Sequence, residues 1–320
     1  MKIFLRCFGV ALLLLLIAVG TFYARPFWAL DGLIRLHLWQ QHVQSRYVPV
    51  DGYRIHYFEA APRDQAQGAD RALILVHGLG SRGEDWSGMI AALAAQGFHV
   101  YALDLLGYGR SSKPDVDYSI SLEEKTVVNF MQALHLQRAD LGGWSMGGWV
   151  VLKLAADHPE LVDRMVVYDA AGLYFLAPFE PSLFTPKDEA GLARLSARLT
   201  PHPKTLPRFI AKAAVARLQA NAWVINRSLH AMTGGRDLLD FRLGEIRAPT
   251  LIVWGKQDTL IPLSSGETMH RDIAGSSLLV VDGCGHLAPA ECTKPVLAGT
   301  LAFLHAEKAP TATESTVAGR

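Results

Sequence analysis

A serine set between glycines is the feature of this chain that most directly predicts chemistry. Residues 141–148 read Leu-Gly-Gly-Trp-Ser-Met-Gly-Gly, and Ser145 stands two residues after Gly143 and two before Gly147. A serine hydroxyl is a weak nucleophile unless it projects into an open site beside a base. A sharp turn from a strand into a helix provides that projection, and it needs small residues on both flanks. The pattern predicts a nucleophile at Ser145; the alternative is a glycine-rich turn that contains serine by chance.

A base for this serine is predicted in the loop that carries His286. The run Asp-Gly-Cys-Gly-His at 282–286 follows an apolar run at 278–281. In a site built on a strand-to-helix turn, the base follows the acid along the chain, on a loop after a late strand. The chain has twelve histidines. This position singles out His286 as the group that accepts the proton of Ser145.

Three aspartates compete for the role of the acid that orients the imidazole. Asp258 follows an apolar run at 251–254, at the predicted carboxyl end of the sheet, where sites of open α/β sheets gather. Asp169 ends an earlier strand-like run, and Asp282 lies four residues before His286. The acid stabilises the imidazolium that forms during the reaction. We expect this role for Asp258 and keep Asp169 and Asp282 as alternatives.

Two backbone N–H groups are predicted to bind the oxyanion that forms when serine attacks a carbonyl carbon. One belongs to Met146, the residue after the nucleophile. The other belongs to Leu79, in the run His-Gly-Leu-Gly at 77–80 after the first central strand. Loss of one such donor typically costs about 2.7–4 kcal/mol of transition-state stabilisation. His77 is expected to orient this loop rather than to act as a second base.

Strand-like and helix-like runs that would position these groups alternate along the chain from about residue 46. Two of them flank Asp51-Gly52, which predicts a hairpin and an antiparallel edge. Five further apolar runs have the composition of buried parallel strands, at 72–76, 99–103, 165–168, 251–254 and 278–281. Helical stretches separate most of them. The order predicts an α/β fold with a mostly parallel central sheet flanked by helices.

The alternation stops in one long interval, which indicates an insertion. Helical runs stand among prolines between residues 173 and 246. We therefore predict a helical cap at 173–246, inserted into an α/β core formed by 46–172 and 247–306. The last residues, 307–320, are rich in Ala, Pro, Thr and Ser, and this composition predicts a disordered tail.

The first 45 residues predict attachment to a membrane. Lys2 and Arg6 precede a long uncharged apolar run, so residues 1–25 are predicted to form a membrane helix that acts as an anchor; a cleaved signal peptide is the alternative. Residues 26–45 are predicted to form an amphipathic juxtamembrane helix, with ordinary packing against the globular part as the alternative. Because positive residues stay in the cytoplasm, the catalytic domain is expected on the non-cytoplasmic side, periplasmic or extracellular.

The overall composition excludes some classes of partner. The chain is 50% hydrophobic and 19% charged, with a formal net charge of +1. Such a balance provides no basic field for nucleic acid, which is therefore not expected as a partner. Its three cysteines have no metal-ligand spacing and form no disulfide framework, so no metal is expected, and a Cys284–Cys292 bridge stays open. Nothing in the sequence indicates the oligomeric state.

Taken together, these motifs resemble the α/β-hydrolase superfamily over residues 46–305. The resemblance rests on the runs at 77–80 and 143–147, the predicted acid and base loops, and Asp-Leu-Leu-Gly-Tyr-Gly-Arg-Ser-Ser at 104–112. With the predicted anchor, the serine turn and the run Tyr-Asp-Ala-Ala-Gly-Leu at 168–173 look like membrane-associated monoacylglycerol lipases and related bacterial lipases.

The resemblance implies a serine hydrolase whose catalytic triad is Ser145, His286 and Asp258. Its substrate would be a small-molecule carboxylic ester, of lipid type such as a monoacylglycerol or a medium-chain acyl ester. The reaction would proceed through an acyl-enzyme and would need no cofactor.

The residue at the nucleophile position distinguishes other enzyme classes that share this fold. Epoxide hydrolases and haloalkane dehalogenases would need an aspartate in place of Ser145 and are excluded. Carbon–carbon bond hydrolases and cofactor-free haloperoxidases keep the same three residue types and remain alternatives. A catalytically silent, membrane-tethered binding protein is an alternative of another class, and the intact set of three residues argues against it.

Overall fold

One sheet of nine strands runs through the computed structural model, which describes residues 2–62, 71–306 and 313–319. In chain order the strands are β1 (Gln44–Val50), β2 (Tyr53–Ala60), β3 (Arg71–Val76), β4 (Phe98–Leu103), β5 (Ala139–Trp144), β6 (Val162–Tyr168), β7 (Thr250–Gly255), β8 (Ser277–Asp282) and β9 (Glu314–Ala318). Across the sheet their order is β1-β2-β4-β3-β5-β6-β7-β8-β9. The pairs β1–β2 and β2–β4 are antiparallel and the others are parallel. The prediction of a mostly parallel sheet is confirmed.

Helices cover both faces of this sheet. Within the described residues they are α1 (Lys2–Ala24), α2 (Pro26–Gln40), α3 (Ile90–Ala94), α4 (Ile120–Ala133), α5 (Met146–Asp157), α6 (Glu189–Leu199), α7 (Arg208–Ala220), α8 (Ala222–Thr233), α9 (Leu263–Asp272), α10 (Ala288–Glu291) and α11 (Thr293–His305). Successive side chains of a strand point to opposite faces. On β3, Ile74 belongs to the buried cluster that includes α4 and α5, and Leu75 to the one that includes α3 and α11.

The antiparallel edge is the hairpin of β1 and β2. Val50 pairs with Tyr53, which leaves Asp51 and Gly52 as a two-residue loop. Both loop residues have positive φ, 49° and 79°, as a type I′ turn requires, and Asp-Gly is a favoured pair for that turn. The predicted hairpin is confirmed.

A helical segment made of α6, α7 and α8 lies between β6 and β7, where the sequence predicts a cap. Two hydrogen bonds, one from within α8 and one from the residue before it, attach this helix to the loop after β4. The hydroxyl groups of Tyr108 and Ser228 lie 2.7 Å apart, and Asn221 Nδ2 donates to the carbonyl oxygen of Gly107 at 3.1 Å. A Cβ at Gly107 would lie 2.8 Å from Val224, so the absence of a side chain there lets α8 pack closely on the core.

The two N-terminal helices meet at a sharp bend. The angle between Phe8–Ala24 and Pro26–Gln40 is 113°. Proline is well suited to the first position of a helix, because its missing N–H would have no acceptor there. Within the described part of the chain, no single helix combines the length and apolar composition of a membrane span, whereas this bent pair does so jointly. The anchor at 1–25 therefore stays a prediction.

The C-terminal end differs from the disordered tail expected at 307–320. Glu314–Ala318 adds to the sheet as β9, parallel to β8, with Ala318 opposite Asp282. The run Ser-Thr-Val at 315–317 contains β-branched residues that favour a strand, and the edge of β8 offers free backbone groups to pair with. The rest of that predicted tail, 307–312 and 320, lies outside the described residues.

Cys284 and Cys292 form a buried disulfide beside the end of β8. The bridge spans eight positions of the sequence and closes a loop that contains His286. The backbone of Gly319 lies directly over it, since a Cβ there would collide with Cys284 Sγ. The bridge that the sequence left open is therefore present, and it closes the loop around the predicted base.

Replacing both cysteines with alanine is expected to lower the free energy of unfolding by about 2–3 kcal/mol, because a cross-link over so short a loop removes chain entropy from the unfolded state. Urea unfolding of the wild type and the double variant measures the difference. Wild-type protein unfolded in the presence of a reductant is the control, since it should lose a similar amount without any change in packing. Equal stability of the variant and the oxidised wild type would contradict the assignment.

Candidate active site

Ser145 lies at the junction of β5 and α5, in the conformation of a strand-to-helix turn. Its φ and ψ are 56° and −118°, a region that residues with a side chain rarely adopt. A Cβ at Gly143 would lie 2.5 Å from Val151, and one at Gly147 would lie 2.5 Å from the carbonyl oxygen of His77. Because both glycines lack a side chain, the turn can close this tightly, and the serine hydroxyl projects beyond the end of the strand.

The structure brings Ser145, His286 and Asp258 into one chain of hydrogen bonds. His286 Nε2 lies 2.8 Å from Ser145 Oγ, and its Nδ1 lies 2.7 Å from Asp258 Oδ2. The other carboxylate oxygen accepts the N–H groups of Leu260 at 2.7 Å and Ile261 at 3.0 Å. With Nδ1–H donating to the carboxylate, Nε2 is the free nitrogen that faces the serine. This arrangement is able to take up the serine proton.

The two alternative acids lie elsewhere. One carboxylate oxygen of Asp169 accepts a backbone N–H at the end of β7 at 2.7 Å. Complete burial and the nearby charge of Asp258 raise the pKa of Asp169 well above its usual value, which makes it a poorer counter-charge for an imidazolium than a carboxylate of ordinary pKa. Asp282 is exposed and accepts a hydrogen bond from Gln257 at 2.8 Å. Of the three predicted candidates, Asp258 is the one that contacts His286.

Both predicted oxyanion donors lie next to the serine turn. Met146 is the first residue of α5, so its N–H has no acceptor within the helix. Leu79 lines the same cavity as Ser145. Its neighbour Gly78 lies against the nucleophile, because a Cβ there would be 3.1 Å from the Ser145 Cβ. Both residues therefore adjoin Ser145, as the predicted oxyanion donors must.

His77 fixes the direction of the Leu79 N–H. Its Nδ1 donates to the carbonyl oxygen of Gly78 at 2.8 Å, and its Nε2 accepts the N–H of Leu105 at 3.1 Å. Burial lowers the pKa of His77, so the ring stays neutral with one donor and one acceptor. The C=O and N–H of one peptide unit point in opposite directions. Holding the Gly78 carbonyl therefore also orients the Leu79 N–H, which fits the orienting role expected for His77.

A cavity of about 890 Å³ opens beside the nucleophile and the base. Pockets that bind small molecules typically measure about 300–1,000 Å³. Apolar side chains of the cap line it, namely Phe184, Leu195, Leu199, Leu206, Leu218 and Ile225. Ile34 of α2 lines it as well. Such walls suit an apolar substituent on a group that reacts at Ser145.

Three residues that hold the site in place were not predicted. Trp144 Nε1 donates to the carbonyl oxygen of His286 at 2.8 Å, and Glu291 accepts the N–H of Gly285 at 2.6 Å. Trp144 and His286 lie 142 positions apart and Glu291 and Gly285 lie six apart, and a single hydrogen bond of either kind leaves no recognisable pattern in the sequence. The third is Asp31, the single acidic residue among the first fifty. The sequence signal for it is a lone carboxylate in a helix rich in apolar residues.

Comparisons with known proteins agree on the fold. Residues 71–291 match the family of the alpha/beta hydrolase fold. The crystal structure of a membrane phospholipase A, described as a bacterial virulence factor, shares 29% identity and a TM-score of 0.76, and the match covers 95% of this chain and 98% of that one.

Two relatives with named activities differ in the substrates they act on. A pimeloyl-[acyl-carrier protein] methyl ester esterase of Aeromonas hydrophila subsp. hydrophila is 31% identical over 237 residues, 69% of this chain and 89% of its own length. A 2-hydroxy-6-oxo-6-(2'-aminophenyl)hexa-2,4-dienoic acid hydrolase of Metapseudomonas resinovorans is 28% identical over 273 residues, 81% of this chain and 90% of its own length. The similarities therefore support a hydrolase but do not determine which type of bond it cleaves.

Asp258→Asn is expected to slow the reaction of Ser145 with a fluorophosphonate by about 10⁴-fold, because an amide that donates to Nδ1 would force the imidazole into the wrong tautomer. Labelling reactions quenched at a series of times and analysed by mass spectrometry measure the rate at which Ser145 is modified. Asp169→Asn should cost at least a hundredfold less, because Asp258 is hydrogen-bonded to His286 whereas Asp169 is hydrogen-bonded to the backbone of β7, and Asp282→Asn is the exposed control. A larger loss with Asp169→Asn than with Asp258→Asn would reverse the assignment of the acid.

Proposed function

The chain belongs to the α/β-hydrolase family, and we propose that it is a serine hydrolase that cleaves carboxylic esters of lipid type. One observation carries the proposal: the hydrogen-bonded chain of Ser145, His286 and Asp258 opens into a cavity with apolar walls. The hydrogen bonds support nucleophilic attack by the serine. The walls support an acyl chain on the bond that is attacked.

In the acylation step, Ser145 Oγ attacks the ester carbonyl carbon while His286 Nε2 takes its proton. The negative charge moves to the carbonyl oxygen, which accepts hydrogen bonds from the N–H groups of Leu79 and Met146. Asp258 stabilises the imidazolium. The imidazolium then gives its proton to the departing alcohol, the carbon–oxygen ester bond breaks, and the acyl group stays on the serine.

In the deacylation step, water replaces the alcohol. His286 Nε2 takes a proton from the water as its oxygen attacks the acyl carbon, and the same two N–H groups bind the second oxyanion. The proton then returns to Ser145 Oγ as the carboxylic acid leaves. The proposed cycle consumes one ester and one water, releases one alcohol and one acid, and requires no cofactor.

A membrane location is part of the proposal. Apolar side chains of α1 are exposed along much of its length, as at Leu12–Leu16, and α2 exposes both Trp28 and Trp39. Tryptophan favours the level of lipid headgroups. The match to the membrane phospholipase A covers 95% of the chain, which cannot be reached without including part of these two helices. We propose that α1 and α2 attach the protein to a membrane, with the hydrolase domain on the non-cytoplasmic side.

A carbon–carbon bond hydrolase is the second candidate. The dienoic acid hydrolase of Metapseudomonas resinovorans is 28% identical over 81% of this chain, and the same three side chains serve either reaction. The exposed N-terminal helices favour the lipid ester, because a small water-soluble dienoate needs no membrane surface.

Hydrolysis of p-nitrophenyl and glycerol esters from acetyl to palmitoyl is expected to be fastest with octanoyl or longer chains, because burying each additional methylene is favourable by about 0.8 kcal/mol. Ser145→Ala should lower the rate by about 10⁵-fold, and the variant should take no label from a fluorophosphonate. The folding control is the midpoint of thermal unfolding, which should be the same for Ser145→Ala and the wild type. Preference for acetyl esters would contradict the lipid substrate, and rapid cleavage of a dienoate without ester cleavage would favour the second candidate.

Membranes of a bacterial host that produces the full chain are expected to retain the protein through a wash with alkaline carbonate and to release it in detergent. Protease added outside the cytoplasmic membrane of spheroplasts should digest the hydrolase domain, and an unrelated cytoplasmic protein is the control for intact membranes. Release by carbonate or by salt alone would contradict the anchor, and protection from the protease would contradict the orientation.

A further inference from the structure

The N-terminal helix α2 forms part of the cavity wall. Ile34 lines the same cavity as Ser145 and His286. Four positions later on the same face of the helix, Leu38 is fully buried in the hydrophobic cluster that includes α3 and α11. The helix therefore packs on the hydrolase core with one face and presents a side chain to the space where a substrate would lie.

Asp31, on the same buried side of α2, makes ion pairs with two arginines from different parts of the molecule. Its carboxylate accepts two hydrogen bonds from Arg82, at 2.7 and 3.1 Å, in the forked geometry that guanidinium and carboxylate prefer. Arg217 donates a third at 3.1 Å. The side chains of Asp31 and Arg82 are only 15% and 16% exposed. Water therefore competes weakly for these contacts.

The protonation state of Asp31 agrees with this pairing. Burial by itself would raise the pKa of Asp31, but the hydrogen bonds and charges of Arg82 and Arg217 outweigh it and lower the pKa. The carboxylate is therefore charged at neutral pH. A charged, mostly buried carboxylate is costly unless it is paired, so the position of Asp31 indicates a fixed contact rather than a solvated surface group.

Each of the two arginines adjoins a segment that lines the cavity. Arg82 follows the segment 78–81, which carries the Leu79 N–H and lines the cavity. Arg217 lies on α7 of the cap, one residue before Leu218, which also lines the cavity. Its guanidinium stands 5.2 Å from the ring of Phe27 on α2. Asp31 is therefore the point where the helix, the oxyanion loop and the cap are joined.

We propose that α2 is a specificity-determining wall of the acyl-binding cavity, in which Ile34 packs against a long acyl chain bound at Ser145 and Asp31 is the positioning residue that holds the helix. The proposal rests on the proposed acyl chemistry at Ser145. It assigns the selection of substrate to the same helix that exposes Trp28 and Trp39 toward the proposed membrane surface. Chain-length preference is then set partly outside the hydrolase core.

The test compares how fast Ser145 reacts with fluorophosphonates that carry a short or a long alkyl chain. Ile34→Trp is expected to lower the ratio of the long-chain to the short-chain rate by about 10–200-fold, the range found when one methylene too many must fit an apolar pocket. Leu33→Trp is the matched control, because Leu33 is the preceding residue on the same helix and its side chain is 61% exposed. A ratio in Ile34→Trp equal to that in Leu33→Trp would overturn the proposal.

The positioning role of Asp31 is tested by removing one charge at a time. Asp31→Asn and Arg217→Gln should each lower the same ratio and raise KM for a long-chain ester about tenfold with little change in kcat, and Asp31→Glu should restore part of both. Arg208→Gln is the matched control for Arg217→Gln, since Arg208 is on the same helix and its ion pair with Glu189 is exposed. Arg82 keeps a contact with Glu84 at 3.5 Å, so the variants are expected to fold. Equal ratios in Arg217→Gln and Arg208→Gln would overturn the role of the ion pairs.

The phosphonate readout separates this proposal from the proposed function. Phosphonates report on the serine nucleophile and the space around it, whatever bond the enzyme normally cleaves. A protein that is labelled but hydrolyses no ester contradicts the ester substrate, while its long-to-short labelling ratio in Ile34→Trp still decides whether α2 is a cavity wall.

Discussion

The backbone turn at Ser145 is the constraint on which the rest of the site depends. A residue with a side chain is held at a φ of 56°, and this is possible only because the strand and helix approach each other across Gly143 and Gly147. The turn projects the hydroxyl from the carboxyl end of the sheet, where loops after neighbouring parallel strands also end. His286 and Asp258 reach the serine from those loops without leaving the sheet that supports them. A rigid strand therefore fixes the nucleophile, and the sheet determines which loops can supply its partners.

Much of this could be predicted from the sequence because the responsible patterns are local. Apolar runs with turn residues between them predict parallel strands, and each site residue lies in the turn or loop that follows such a run. Asp258 was favoured over Asp169 for its place in the strand order, and the structure adds a physical reason: burial raises the pKa of Asp169, whereas Asp258 contacts the imidazole. Periodicity and turn chemistry were sufficient to predict these residues because parallel strands end at the same edge of the sheet, so residues that follow different strands lie close together.

The features that could not be predicted depend on contacts between distant parts of the chain. β9 forms because the edge of β8 is available to it, although the composition of the tail suggested disorder. Trp144 and Glu291 support the base loop through single hydrogen bonds, which leave no pattern in the sequence. Asp31 was visible as a lone acid, but its two arginine partners lie 51 and 186 positions away. The path of α2 across the cavity is a tertiary arrangement that amphipathicity alone cannot specify.

The central species of the proposed mechanism is an acyl group that Ser145 carries between the acylation step and the deacylation step. Its most direct measurement is mass spectrometry of the full-length protein, quenched with acid within milliseconds of mixing with a long-chain p-nitrophenyl ester. The proposed mechanism predicts a mass increase equal to that of the acyl group on the peptide that contains Ser145. This acyl group should be lost at the rate of turnover. Turnover of the ester without any adduct on Ser145, or with the adduct on another residue, would contradict it.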